Sequence, residues 1–176
     1  MTILRILLGV LAVVVLAVVV VYIDGVTLPV NHSTTVIQTI AAPPERVFAQ
    51  IANVAAGASW RPEVKTVTLL PPDQGRDRWV EDLGHGQTMT FLATRTDTPA
   101  AGFAQRDVLL DVPGATYGGT WTYRLSPGPT PGTTTLSITE AGFINPPFYR
   151  FMMHHIFGMD RNINAYFKDL NNVFKS

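Results

Sequence analysis

The chain contains no cysteine. That excludes disulfides, thiolate nucleophiles and cysteine-ligated zinc, and it leaves the redox compartment open. Charge is scarce as well: Asp, Glu, Lys and Arg make up 15% of 176 residues, with 13 basic residues balancing 13 acidic ones. The arginines are scattered rather than gathered into a basic stripe, so no nucleic-acid partner is expected. No H-E-x-x-H or comparable spacing occurs, so no metal is expected, and His154-His155 point about 100° apart on a helix. No G-x-S-x-G, P-loop or dinucleotide fingerprint is present either, and no cofactor is implied. Internal repeats are absent.

The most prominent feature present is apolar. Residues 6–23 read ILLGVLAVVVLAVVVVYI between Arg5 and Asp24, without a charge. As a helix these eighteen residues rise about 27 Å, close to the thickness of a bilayer's hydrocarbon core. A cleaved signal peptide has a shorter apolar region and a small-x-small exit; this run leaves through Val21-Tyr22-Ile23-Asp24-Gly25 instead. An uncleaved single-pass anchor over residues 1–24 is therefore expected. Arg5 and the amino terminus flank one end and no Lys or Arg follows until Arg46, which predicts a cytoplasmic N-terminus with the remainder outside.

Residues 25–32, with Gly25 and Pro29, read as a linker, and residues 33–176 as one domain. A linker this short reaches roughly 30 Å when extended, so the domain is held at the bilayer surface. Residues 33–40 (STTVIQTI) are rich in β-branched side chains and predict a first strand. Pro43, Pro44 and Glu45 suit a helix start, with Val47, Phe48 and Ile51 as its apolar face, and a second short helix is expected over residues 54–59. Six further strands are predicted at 64–70, 78–83, 88–96, 103–110, 119–125 and 134–141. They are separated by Pro71-Pro72-Asp73, Gly84-His85-Gly86, Asp97-Thr98-Pro99, Pro113-Gly114 and the loop over 127–132. A long helix closes the chain, capped by Asn145, with Phe148, Met152, His155, Met159, Ile163, Tyr166, Leu170 and Phe174 at three-to-four spacing and a bend at Gly158. Short turns between successive strands imply an antiparallel meander, and a curved sheet can bury the same helix face.

This order, with TIAAPPERVFAQIANVAAGASWRPEV (39–64), GGTWTYRL (118–125), TTLSITEAGFINPPFYRFM (134–152) and NAYFKDLNNVF (164–174), resembles the START-like or SRPBCC superfamily, in its bacterial polyketide cyclase/dehydrase-like branch. The resemblance covers nearly all of the chain beyond the anchor. It implies an α+β helix-grip fold: about seven antiparallel strands curved around a long C-terminal helix, with two short helices after the first strand. It also implies a cavity between sheet and helix that takes lipids, sterols, polyketides or other apolar ligands, with enzymes a minority.

Strand alternation nominates the lining. Trp121, Tyr123 and Leu125 share one face, as do Met89, Phe91 and Ala93, and Leu136, Ile138 and Glu140; Trp79 joins them. Glu140 is a carboxylate on an otherwise apolar face, where burial would favour acid or base behaviour, and at the strand end it could equally meet solvent. Phe151, Met152 and His155 are the expected contributions of the final helix, and His155 a partner for a ligand or for Glu140. Trp60-Arg61-Pro62 would rim the mouth, or else plug the core with Trp60 and leave Arg61 at the surface. His85 is expected in an exposed turn. The expected function is a membrane-anchored binding module for a hydrophobic small molecule or lipid, with membrane lipids as partners. The alternatives are a cyclase/dehydrase-like enzyme using Glu140 or His155 as acid/base, and a structural protein whose cavity Phe91, Trp121, Phe151 and Met152 pack shut.

Overall fold

A 26-residue helix, α1 (Thr2–Thr27), opens the chain and leaves its large apolar side chains exposed along most of its length. It is long and apolar enough to cross a membrane. The computed structural model describes residues 2–111 and 114–175. Strand β1 (Asn31–Ile40) follows after only residues 28–30, a shorter connection than the expected 25–32 linker, because helix and strand each extend into it.

Helix α2 (Pro44–Ala52) starts where Pro43 and Pro44 predicted, and it buries Val47, Phe48 and Ile51. A 3-10 turn (Val54–Ala56) leads into α3 (Gly57–Trp60). Six strands then form a meander: β2 (Thr66–Asp73), β3 (Arg76–Gly84), β4 (Gln87–Ala100), β5 (Phe103–Leu110), β6 (Tyr117–Pro127) and β7 (Thr134–Ile144). All pairings are antiparallel, in the order β1-β7-β6-β5-β4-β3-β2, so the first strand closes onto the last. This is the helix-grip α+β fold.

Two expected breaks lie inside strands. β2 runs through Pro71 and Pro72 across a bulge, which is tolerated because β2 is an edge strand and needs no donor on its outer side. β4 is an inner strand, but its pairing with β3 ends at Leu92, and it absorbs Asp97-Thr98-Pro99 by bulging against β5, with register shifts on either side of residues 95–97. The chain reverses instead at Gln74-Gly75, His85-Gly86 and Ala101-Gly102, two-residue turns with positive φ at both positions. Such turns match the twist of the strands they join, and glycine takes the second position without strain. His85 is thus an exposed turn residue, as expected. Of the expected Pro113-Gly114 turn, Pro113 lies outside the described residues.

The expected long C-terminal helix is two helices. α4 (Pro147–Met152) passes into a wide π-turn (Met153–Phe157), closed by Gly158 N–H donating to the Met153 carbonyl at 3.0 Å. Gly158 then has φ +83°, which no α-helix continues through, and α5 (Arg161–Val173) starts afresh. Asn145 is not the cap; Pro146 holds that position. α5 buries Ile163, Tyr166, Phe167 and Leu170 in one core with Ile40, Val47, Ile51, Leu136 and Ile138. α4 packs instead against the end of α1.

Candidate ligand-binding site

The concave face of the sheet carries the side chains that alternation selected. Trp79 is buried and stacks on Phe91 with ring centroids 5.5 Å apart, and Met89, half-buried, is the cross-strand partner of Glu81. Trp121, Tyr123 and Ile138 lie on the neighbouring strands of the same face. From α5, Tyr166 reaches Trp60 at 5.2 Å, Tyr123 at 5.5 Å and Trp121 at 5.9 Å. These rings occupy the space between sheet and helix.

Set among them is a charged pair that the sequence did not reveal. Arg61, at the end of α3, forms an ion pair with Glu81 of β3, and the Trp79 indole donates to the other Glu81 oxygen at 3.1 Å. The Arg61 guanidinium also lies 5.8 Å from the Tyr166 ring. Burial alone opposes the Arg61 charge, but the Glu81 carboxylate outweighs it and holds the guanidinium pKa above its ordinary value. Burial pushes the Tyr123 and Tyr166 phenols up, so both remain protonated. Arg61 is therefore not the surface charge of one sequence reading; its side chain is 16% exposed. Arg106 of β5 is more deeply buried, donating to Asp77 at 3.2 Å and to Thr96 at 3.3 Å. The period-two alternation that places Trp79 on the concave face places Glu81 there too, and the same alternation along β5 would have placed Arg106; it was the only available signal.

Glu140 points inward beside Trp121, its cross-strand partner, with His32 of β1 at 3.7 Å. Glu140 Oε2 and His32 Nδ1 are buried without a hydrogen-bond partner. Burial is the main reason the Glu140 carboxyl titrates above the usual carboxylate range, and His32 and the Trp121 indole draw it back only in part. The folded state thus holds this proton more tightly than the unfolded chain. Stability is greatest below the ordinary glutamate value and falls as pH rises through the raised one. Urea unfolding midpoints should decline across that window for the native chain and decline less steeply for Glu140→Gln, in which Asp169, also raised by burial, still titrates. Identical slopes in the two proteins would contradict the assignment.

His155 does not meet Glu140. It lies on the π-turn, where Nε2 and Asp24 Oδ2 of α1 are 2.8 Å apart, and its ring is 4.9 Å from Phe151. Phe151 and Met152 are half-buried in α4, outside the helix that covers the concave face. His32, assigned to the linker from sequence, belongs to the site because β1 starts at Asn31.

Two hollows among the described residues stand out, and neither of these lies between the sheet and α5. One of about 470 Å³ runs across the outer sheet face beside Ile37, Phe103 and Arg124. The other, about 280 Å³, sits where α1 meets the domain. Leu28, Pro29, Val30, Ile144 and Met159 give it apolar walls, and His32, Arg150 and His154 supply polar groups. Among the described residues, no cluster of three or more His, Asp or Glu could hold a metal.

A seven-stranded antiparallel sheet gripping a C-terminal helix, with its polar groups set into an apolar concave face, is the architecture of START-like helix-grip proteins. The sequence matches the family "Polyketide cyclase / dehydrase and lipid transport" over residues 31–173, and the chain belongs to that family. No curated protein matches it. Among solved structures, it resembles the Zhui aromatase/cyclase from a Streptomyces species (TM-score 0.62, 19% identity, covering 82% of this chain and 94% of that one). It also resembles a START superfamily protein from Mycobacterium smegmatis (0.60, 18%, 82% and 97%). Norcoclaurine synthase from Thalictrum flavum is a third (0.63, 10%, 84% and 95%). At these identities the likeness is one of fold.

Proposed function

We propose that the protein is a membrane-anchored binding module for a hydrophobic small molecule or lipid, with α1 spanning the bilayer. The positive-inside rule puts its N-terminus in the cytoplasm and the domain on the opposite side. One observation carries the reading: the 280 Å³ hollow adjoins the end of α1, and its lining residue His32 also reaches Glu140 on the concave face. An apolar molecule leaving the bilayer would meet Leu28, Val30 and Met159 first, with His32, Arg150 and His154 to orient a polar end. The volume falls near the lower limit of ligand pockets, which suits a single ring system or the end of one acyl chain.

Native mass spectrometry of the full chain, extracted from its own membrane, tests this. The expected result is an apolar molecule bound at one per chain, with occupancy lowered about tenfold or more by Met159→Trp, which fills the hollow. A chain that always runs at its bare mass would sink the proposal.

A second reading, acid–base catalysis of the cyclase/dehydrase type, is favoured by the unpartnered Glu140 Oε2 and its raised pKa. In that case Glu140 and His32 would be the proton-transfer pair. Turnover of a bound ligand that Glu140→Gln abolishes would favour it, and unchanged turnover would remove its best candidate.

A further inference from the structure

The face of α1 turned to the domain is Val21, Asp24 and Gly25, continued by Leu28 one residue past its end, spaced three and four apart, and α4 is the element packed on α1. Gly25 makes the approach possible: a Cβ there would stand 2.2 Å from the Pro147 carbonyl oxygen. Arg150 Nε donates to the Gly25 carbonyl at 2.8 Å and pins the two elements together. Val21 lies inside the apolar run that ends at Ile23, so the covered face begins below the level at which α1 leaves hydrocarbon.

The opposite side of this docked segment is apolar and uncovered. Phe148, Tyr149, Ile156 and Phe157 are 54%, 59%, 59% and 44% exposed. The π-turn adds a residue to one turn, so pairs eight apart, Phe148 with Ile156 and Tyr149 with Phe157, come onto the same side. Arg161 places its guanidinium 4.8 Å from the Phe157 ring, a cation at the margin of the apolar ridge. Aromatic and aliphatic residues with an arginine beside them are the composition of a membrane interface.

We propose that this ridge of α4 and the π-turn, held against the end of α1, seats in the headgroup–acyl boundary of the same bilayer. It rests on the reading of α1 as a membrane span. The domain is then not suspended on a tether but fixed at one tilt, with the junctional hollow turned toward the lipid.

The absence of cysteine makes the test clean. Single nitroxide labels at Tyr149→Cys, Ile156→Cys, Val14→Cys and Leu69→Cys are placed on the full chain in vesicles of phosphatidylcholine and phosphatidylglycerol. All four side chains are exposed, and Leu69 lies on β2, at the far edge of the sheet from β1. Collision rates with oxygen and with a water-soluble nickel chelate report depth. The expected result is a lipid-like ratio at 14, an interfacial ratio at 149 and 156 several-fold above that at 69, and a water-like ratio at 69. A lipid-like 14 with water-like 149 and 156 overturns the seating and leaves the anchor intact. A water-like 14 overturns the anchor, and the seating with it; a ratio at 69 equal to those at 149 and 156 overturns the seating as well.

Discussion

Replacing Glu81 with alanine is expected to lower the stability of the domain by about 3–5 kcal/mol, the range for breaking a buried ion pair from one side. The Glu81 side chain is 5% exposed, and it neutralises Arg61 while accepting from the Trp79 indole. Its removal strands a guanidinium and an N–H in a space filled by Trp60, Tyr123 and Tyr166. Glu63 lies 3.5 Å from Arg61 Nε, but it is half exposed, and solvent screening makes it a poor replacement. The double change Glu81→Leu with Arg61→Met should recover most of the loss, because a well-packed apolar pair carries no desolvation penalty. Urea unfolding of the detergent-solubilised full chain, followed by tryptophan fluorescence, measures both. A single-change loss below about 1 kcal/mol would mean that the pair is solvated and the site wetter than described.

Arg150→Ala should release the domain from α1 without unfolding it. The guanidinium donates to three carbonyls, Gly25 at 2.8 Å, Ile144 at 3.0 Å and Asn145, and the residue is buried. Acceptors left without a donor in a buried place cost about 1–3 kcal/mol each, so a joint loss of at least about 3 kcal/mol is expected. Opening of the junction should then be at least about 100-fold more frequent, read as faster protease cleavage at residues 28–30. Arg150→Lys should rescue only part of this, since an ammonium lacks the planar fork that reaches several carbonyls at once. The neighbouring His155–Asp24 contact is exposed on both sides, and His155→Ala should change cleavage little. Equal cleavage in wild type and Arg150→Ala would show that the junction is held by something other than this arginine.

Both experiments target contacts that could not be read from the chain, set among residues that could. Period-two alternation placed Trp79, Phe91, Trp121, Tyr123 and Ile138 on one face, and all five line the concave side. The helix starts at Pro43-Pro44 and the apolar positions of α5 were equally legible, because capping and amphipathicity are local properties. The prolines at 71, 72 and 99 misled, since local chemistry does not say whether a strand lies at an edge or tolerates a bulge. Periodicity likewise joined Phe148 and His155 to Ile163 and Tyr166 as one stripe, although Gly158 turns the chain and sends the two halves to different partners.

By itself, the sequence determined an apolar N-terminal helix, an antiparallel meander closed by an amphipathic helix, and the identity of the concave face, because each follows from spacing along the chain; the helix-grip fold was implied by the family resemblance of its motifs. The tertiary structure alone decided that Arg61 would meet Glu81, that His32 rather than His155 would meet Glu140, and that α4 would clamp α1 through Arg150. Those contacts join residues far apart in the chain. A buried charge can rest only where folding brings it a partner, and no local spacing names that partner.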